Sequence, residues 1–251
     1  PHDQALPAGT RIGVYEIKNV LNVGLFDITY RAWNHHFKDW IVVREYFPSD
    51  LSMRANDGLH VVPKSSNNKE DFDYGLKVFL QQAEILLQIE HTNITCTENF
   101  LPFNDTAYLI MSYQEGVPFS KLDWSSVPFT DEEFREILIS LLQALQVVHK
   151  NNIVHGGIQP ATIKVAKDGK LVLTNFSSTR LTIAAHTGQH ANVLAAGYAP
   201  AEQYENMGKT GPATDFYALA ATLYYCINHH APVDAQDRII AINKGESDPM
   251  S

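Results

Sequence analysis

The feature that most restricts how this chain can fold is a switch in hydrophobic period at Glu115-Gly116. Before it, apolar residues alternate over short runs, as half-buried strands require. After it they recur every three to four residues, as amphipathic helices require. Tyr15 to Ile17, Ile28 to Ala32 and Trp40 to Val43 are β-branched or aromatic runs separated by polar turns, and they predict strands. Two further strands are predicted over 95–103 and 107–113, split by Asn104-Asp105. Residues 50–70 are rich in turn formers and predict a loop or a small hairpin. One helix interrupts the strands over 70–90, where Phe72, Leu76, Phe79, Leu80, Ala83 and Leu87 share a helical face.

Beyond the switch, Thr130 and Glu133 have the spacing of a capping box and open a helix that runs to about His149. Short strands are predicted over 153–154, 163–165 and 171–173, the last two joined at Asp168-Gly169, a favoured hairpin turn. Residues 177–200 show no period and predict an irregular segment, and a helix is predicted over 214–227. The pattern is an α+β layout in two lobes: a β-rich lobe with one helix over 1–112, and a mainly helical lobe over 113–251.

Composition narrows the partners. The chain has 251 residues, 45% of them hydrophobic, enough for a substantial core. Its 28 acidic and 19 basic residues give a net charge of −9, with no Lys/Arg cluster. Nucleic acid and anionic membrane surfaces are therefore poor partners, and no direct membrane contact is expected. No apolar run reaches the ~18 residues of a membrane span. Cys96 and Cys226 show no C-x-x-C spacing and suit a reducing cytoplasm, both expected in core positions. Because the chain opens on Pro1, it is expected to be a fragment or processed form; the cysteine usage gives the expectation of a cytoplasmic location.

Two stretches carry the functional signal: Ile153-Val-His-Gly-Gly-Ile-Gln-Pro-Ala-Thr-Ile-Lys-Val165 and Leu171-Val-Leu-Thr-Asn-Phe-Ser177. They resemble the catalytic loop and metal-binding turn of a protein kinase, H-R-D-x-K-P-x-N and D-F-G. His155, Pro160 and Phe176 match, while the base, lysine, asparagine and metal-binding aspartate are replaced by Gly157, Gln159, Thr162 and Asn175. Further runs resemble the bacterial Ser/Thr protein kinases in the right order. These are Leu6 to Ile12, Tyr15 to Ile17 and Phe26 to Tyr30 for the entry into the glycine-rich loop, Glu45 to Leu51 after the phosphate-anchoring lysine, Gly197 to Tyr204 closing an activation segment, and Asp215 to Leu219 opening a buried helix. The chain is identified as a degenerate, pseudokinase-like member with a bilobal kinase fold whose second lobe lacks its last helices.

The resemblance implies a role for each position, and most are altered. Of the phosphate-loop glycines only Gly24 remains; the others are Asn22 and Asp27, the latter placing a negative charge where phosphates would sit. The strand lysine is Arg44, which keeps its charge on a longer planar group, and its helix partner is Gln82. Asn175 and Thr162 offer only neutral oxygens to a hard cation, and Gly157 supplies no base. The adenine pocket is degenerate at Thr29, Val42, Met111 and Lys164; the lysine would lose hydration beneath a purine unless it snorkels to solvent. Scaffold positions fare better. Leu86, His155 and Phe176, with Thr97 as a polar substitute, match the apolar column of a kinase, and Asp215 matches the carboxylate that ties the catalytic loop to the buried helix. Glu202 has no predicted partner.

The expectation is a non-enzymatic domain that binds another protein as scaffold or allosteric regulator, with no catalytic residue, cofactor or metal, and without ATP. Two alternatives stay open: a metal-independent nucleotide-binding switch, kept alive by Arg44 and Gly24, and an atypical nucleotide-transfer enzyme. His35-His36 and His229-His230 predict surface or structural histidines, since adjacent side chains point apart and no third ligand follows. Ser177, Ser178, Thr179, Thr182 and Thr187 read as an ordinary polar loop, with phosphate acceptance from another kinase as the alternative.

Overall fold

The computed structural model describes residues 3–126, 130–188, 193–205 and 210–250. The chain divides into two compact units, Pro1–Glu90 with Thr95–Tyr113, and His91–Ile94 with Gln114–Ser251. The first is built on a six-stranded antiparallel sheet. Its strands are β1 (Arg11–Ile12), β2 (Tyr15–Val23), β3 (Asp27–Asn34), β4 (Asp39–Tyr46), β7 (Thr97–Phe103) and β8 (Thr106–Ser112), in the order β1-β2-β3-β4-β8-β7. Strand β2 runs well past the predicted Ile17. With only one glycine left in the turn, Asn22 and Val23 stay extended and pair with Thr29 and Ile28. Gly24 N–H then closes the hairpin on the Asp27 carbonyl at 2.8 Å.

The turn-rich stretch forms a small hairpin, β5 (Ser52–Arg54) with β6 (Val61–Pro63). Helix α1 (Lys69–Leu86) stops short of the predicted residue 90. Its end unwinds into a turn that buries Ile89.

What anchors the β5–β6 hairpin is a polar network that no sequence pattern announced. Glu45 on β4 is 0% exposed and Arg54 on β5 is 8% exposed. The guanidinium donates to both carboxylate oxygens, Nη1 to Oε1 at 2.6 Å and Nη2 to Oε2 at 2.8 Å, the fork geometry that only arginine offers. Tyr30 and Tyr108 hydroxyls donate to the same carboxylate at 2.7 and 3.1 Å. Arg54 also donates to the carbonyl oxygens of Gln4 and Leu59, and Leu6 N–H donates to Tyr30, so the N-terminal segment is tied into the cluster. Burial pulls the Arg54 guanidinium down, but the bonds and charge of Glu45 outweigh it and its pKa ends above the ordinary value. Burial and the Glu45 charge push the Tyr30 phenol well up.

In the second unit α2 (Asp131–Lys150) opens as predicted, on a reciprocal capping box between Thr130 and Glu133. A three-stranded sheet, β9 (Gly116–Pro118), β10 (Ile163–Ala166) and β11 (Leu171–Leu173), contains the predicted hairpin. The strand expected over 153–154 is absent, because the chain there is curling toward Asp215, which takes up the next N–H groups. The segment read as irregular contains a ten-residue helix, α3 (Ser178–Thr187). It ends on Gly188 in the left-handed conformation, φ +73°. Its buried face is short, Leu181, Ile183 and Ala184, too little for a periodic signal. Residues 189–192 of that segment lie outside the described residues.

Helices α4 (Ala201–Glu205), α5 (Pro212–Asn228) and α6 (Ala235–Asn243) complete the unit. Glu202, expected to lack a partner, accepts a bond from the Thr214 hydroxyl at 2.9 Å. Arg238 clasps Asp248 with two bonds, at 3.0 and 2.7 Å, and ties the final residues to α6. Cys226 is buried, but Cys96 is exposed, against expectation: it precedes the edge strand β7, where alternation turns it outward. Among the described residues, no helix is long and apolar enough to cross a membrane.

Candidate active site

The residues singled out from the sequence fall on both units, and each unit arranges its own share. In the first, Thr29 pairs with Arg44 across β3 and β4, and Val42 pairs with both Arg31 and Met111. Alternation on a strand therefore places Thr29, Arg31, Val42 and Arg44 on one face. Arg44 is buried there, and Gln82 lies half-buried on α1.

Arg31 was missed by the sequence reading. Its guanidinium lies 3.8 Å from the Trp40 ring centre and 4.7 Å from that of Tyr113, a cation between two aromatic faces. Only cross-strand register could have revealed it. Asp27, expected to present charge to a phosphate, is instead buried at the base of its hairpin. A Cβ on Gly24 would lie 3.4 Å from its carboxylate, so the acid is folded in beside the glycine.

In the second unit the kinase-like loop is held from below by Asp215 on α5. Its carboxylate accepts from the N–H groups of His155 and Gly156 at 2.8 and 2.9 Å, and its Oδ2 lies 2.8 Å from His149 Nε2. This is the tie expected of Asp215. The His155 ring packs on Phe176 with centres 4.6 Å apart, and its Nε2 lies 2.9 Å from the Thr174 carbonyl. Gln203 of α4 donates to the Gly156 carbonyl at 3.2 Å.

The loop also satisfies itself with neutral groups. Thr162 Oγ1 accepts from Gln159 N–H at 3.0 Å and shares its proton between the carbonyls of Gly157 and Gln159. Asn175 sits at φ +62°, a conformation asparagine tolerates better than most residues. Lys164 does not snorkel outward. Its amine donates to the Gln114 carbonyl at 3.2 Å, and burial lowers its pKa.

Gly156 and Gly157 form the seat for the start of α3. A Cβ on Gly156 would fall 2.7 Å from Leu181 Cδ1, and one on Gly157 would fall 2.8 Å from Ser177 Cβ and nearer still to its hydroxyl. The two positions read separately from sequence, 157 and 177, thus compete for one volume. Gly157→Ala is expected to destabilise the protein by about 1–3 kcal/mol through overpacking. Adding Ser177→Gly is expected to recover most of that loss. Thermal melts of the three variants check this, and equal losses in the single and double variants would contradict it.

Comparison with known proteins accords with this geometry. The protein kinase domain model matches residues 51–248. Serine/threonine-protein kinase F of Synechocystis is 26% identical over 190 residues, covering 70% of this chain and 38% of that protein. PrkC, a serine/threonine-protein kinase of Bacillus subtilis, is 23% identical over 195 residues, covering 77% of this chain and 30% of that protein. The chain thus spans well under half the length of these relatives. The solved apo form of PpkA-294 superposes with a TM-score of 0.81 at 28% identity, covering 98% of this chain and 88% of that one.

The expectation that this domain is not an enzyme is corrected by these findings, because the relatives are by name serine/threonine kinases. The physical weakness of that expectation is that phosphoryl transfer depends chiefly on positioning and electrostatics, which missing motif letters do not decide. An α+β kinase fold, a catalytic-loop segment anchored on Asp215 and matches along most of its length lead to one conclusion: the chain belongs to the protein kinase domain family.

Proposed function

We propose that this domain is a signalling module of the kinase family that works mainly by contact with another protein, as scaffold or allosteric regulator. In this reading any phosphoryl transfer it performs is slow, because Arg44, Gln82, Gly157, Gln159, Thr162 and Asn175 depart from the residues that speed the reaction. The single observation that carries the proposal is the shared volume of Gly157 and Ser177. In the family motifs the larger side chain stands at the first position and glycine at the second; here the bulk is exchanged, and the place of the base is filled by a serine.

Two further contacts support it. A magnesium nucleotide, which the family implies, would draw on Thr162, whose hydroxyl is engaged by its own loop, and would meet Lys164 bound to the Gln114 carbonyl. These groups fit such a ligand poorly. The net charge of −9 and two free thiols favour a protein partner in a reducing compartment, taken here as the cytoplasm, over nucleic acid.

The test is a phosphotransfer assay with labelled ATP and a generic protein substrate. The triple variant Gly157→Asp, Asn175→Asp, Ser177→Gly restores a base and a metal ligand while vacating the serine's volume. Since general base catalysis contributes about 10²–10⁴-fold, it should turn over at least about 100 times faster than the natural chain. A natural chain already working at the ~1–100 per second of ordinary kinases would sink the proposal. ATP is expected to bind weakly, so at millimolar concentration with Mg²⁺ it should raise stability by well under the about 2.7 kcal/mol that a ligand at 100 times its Kd would add.

A further inference from the structure

Arg31 on β3 is a cation held in place with no acid beside it. Its guanidinium sits between the rings of Trp40 and Tyr113, 3.8 and 4.7 Å from their centres, and all three residues belong to the first unit. Trp33, paired with Trp40 across the hairpin, packs edge-on against it with ring centres 5.0 Å apart, so the clamp is braced from behind.

A guanidinium stacked on aromatic faces keeps its hydrogen-bonding edge, because all its N–H groups lie in its own plane. That edge meets no protein acceptor among the described residues. Nε is buried without a hydrogen-bond partner, and the Nη atoms reach the surface. Asn19 and Val42, paired with Arg31 on the two neighbouring strands, bring no carboxylate. Glu16, paired with Trp33, is already engaged by Lys18 and His35, each at 2.6 Å. Asp39 alternates to the other face of β4 from Trp40. A charge half withdrawn from water in this way is costly until an anion meets it.

We propose that the Arg31 clamp is a docking point for an acidic segment of a partner protein, which brings an Asp or Glu carboxylate to the guanidinium edge and an apolar side chain onto Trp40. The planar fork takes a carboxylate through two parallel bonds. The clamp has already removed much of the side chain's rotamer freedom, so less is lost on binding. Trp40, 37% exposed beside the cation, completes a Trp, Tyr and Arg cluster, the composition in which binding energy concentrates. A phosphate would call for a cluster of arginines, whereas one clamped guanidinium suits a singly charged, flat group. The proposal rests on the protein-binding reading, but its test contains no nucleotide, so failure of the one is told apart from failure of the other.

The probe is a short capped peptide of alternating glutamate and phenylalanine, with glutamine and phosphoserine counterparts. Nuclear magnetic resonance of the ¹⁵N-labelled chain reads the site, and anisotropy of a dye-labelled peptide reads the affinity. The Arg31 Nε–H signal should move and saturate with the glutamate peptide and stay in place with the glutamine one. Arg31→Lys keeps the charge but loses the fork, and should weaken binding about tenfold. Trp40→Ala should do the same, with thermal melts to confirm that both variants fold. An Nε–H signal that the glutamate peptide leaves unmoved at millimolar concentration overturns the proposal. So does an Arg31→Lys chain that binds as tightly as the natural one, or a phosphoserine peptide that binds more tightly than the glutamate peptide.

Discussion

Arg54→Ala is expected to destabilise the first unit by about 3–5 kcal/mol, a large part of the ~5–15 kcal/mol that holds a typical domain. Removing the guanidinium leaves the Glu45 carboxylate with no cation at a site with no exposure, facing only the hydroxyls of Tyr30 and Tyr108. It also frees the carbonyl oxygens of Gln4 and Leu59, so the N-terminal segment and the β5–β6 hairpin should loosen together. Urea melts followed by tryptophan fluorescence would measure the loss. Hydrogen exchange should show the loosening at Leu6 and Arg54, whose N–H groups bond within the cluster. The paired replacement Glu45→Gln with Arg54→Met should cost less than Arg54→Ala alone, because the damage comes from the stranded charge rather than from the missing contact. If the paired replacement costs more, the network is held by its bonds and not by charge balance.

The second large effect is expected at Asp215. Asp215→Ala deprives the N–H groups of His155 and Gly156 of their acceptor and removes the partner of His149, all in a fully buried place. At about 1–3 kcal/mol for each stranded donor, the total should reach about 3–5 kcal/mol. Asp215→Asn should rescue only part of it, since its amide has one acceptor oxygen where two donors converge. The amides of His155 and Gly156 should exchange faster in both variants. Because those residues carry the Phe176 and Gln203 contacts, α3 and α4 should lose protection with them. Unchanged exchange at 155 and 156 would mean the loop is held by its other contacts.

These two carboxylates differ in how visible they were. Asp215 could be read from its place in a kinase-like run, and its role followed. Glu45 also sat in a quoted run, yet its partner Arg54 lies nine residues on across a turn, and Tyr30 and Tyr108 are on other strands. Nothing in local spacing reports such a convergence. The capping box at Thr130 was legible because both halves are three residues apart and each satisfies the other's backbone. Helix α3 was not legible, because only one short face is buried and its stability comes from the glycines it sits on. Whether the Lys164 amine would be desolvated or reach solvent was open in the sequence; a carbonyl fifty residues away holds it.

The sequence by itself determined the order of the main strands of the first unit, the helices α1, α2 and α5, the α+β division and the family. Period, caps and short motifs are local properties, and they survive being read without coordinates. Only the tertiary structure decided that Asp27 turns inward, that Arg31 stacks between Trp40 and Tyr113, and that Ser177 fills the volume beside Gly157. Each of these depends on which distant residue reaches a given space first. Close packing settles that in three dimensions, and no period along the chain records it.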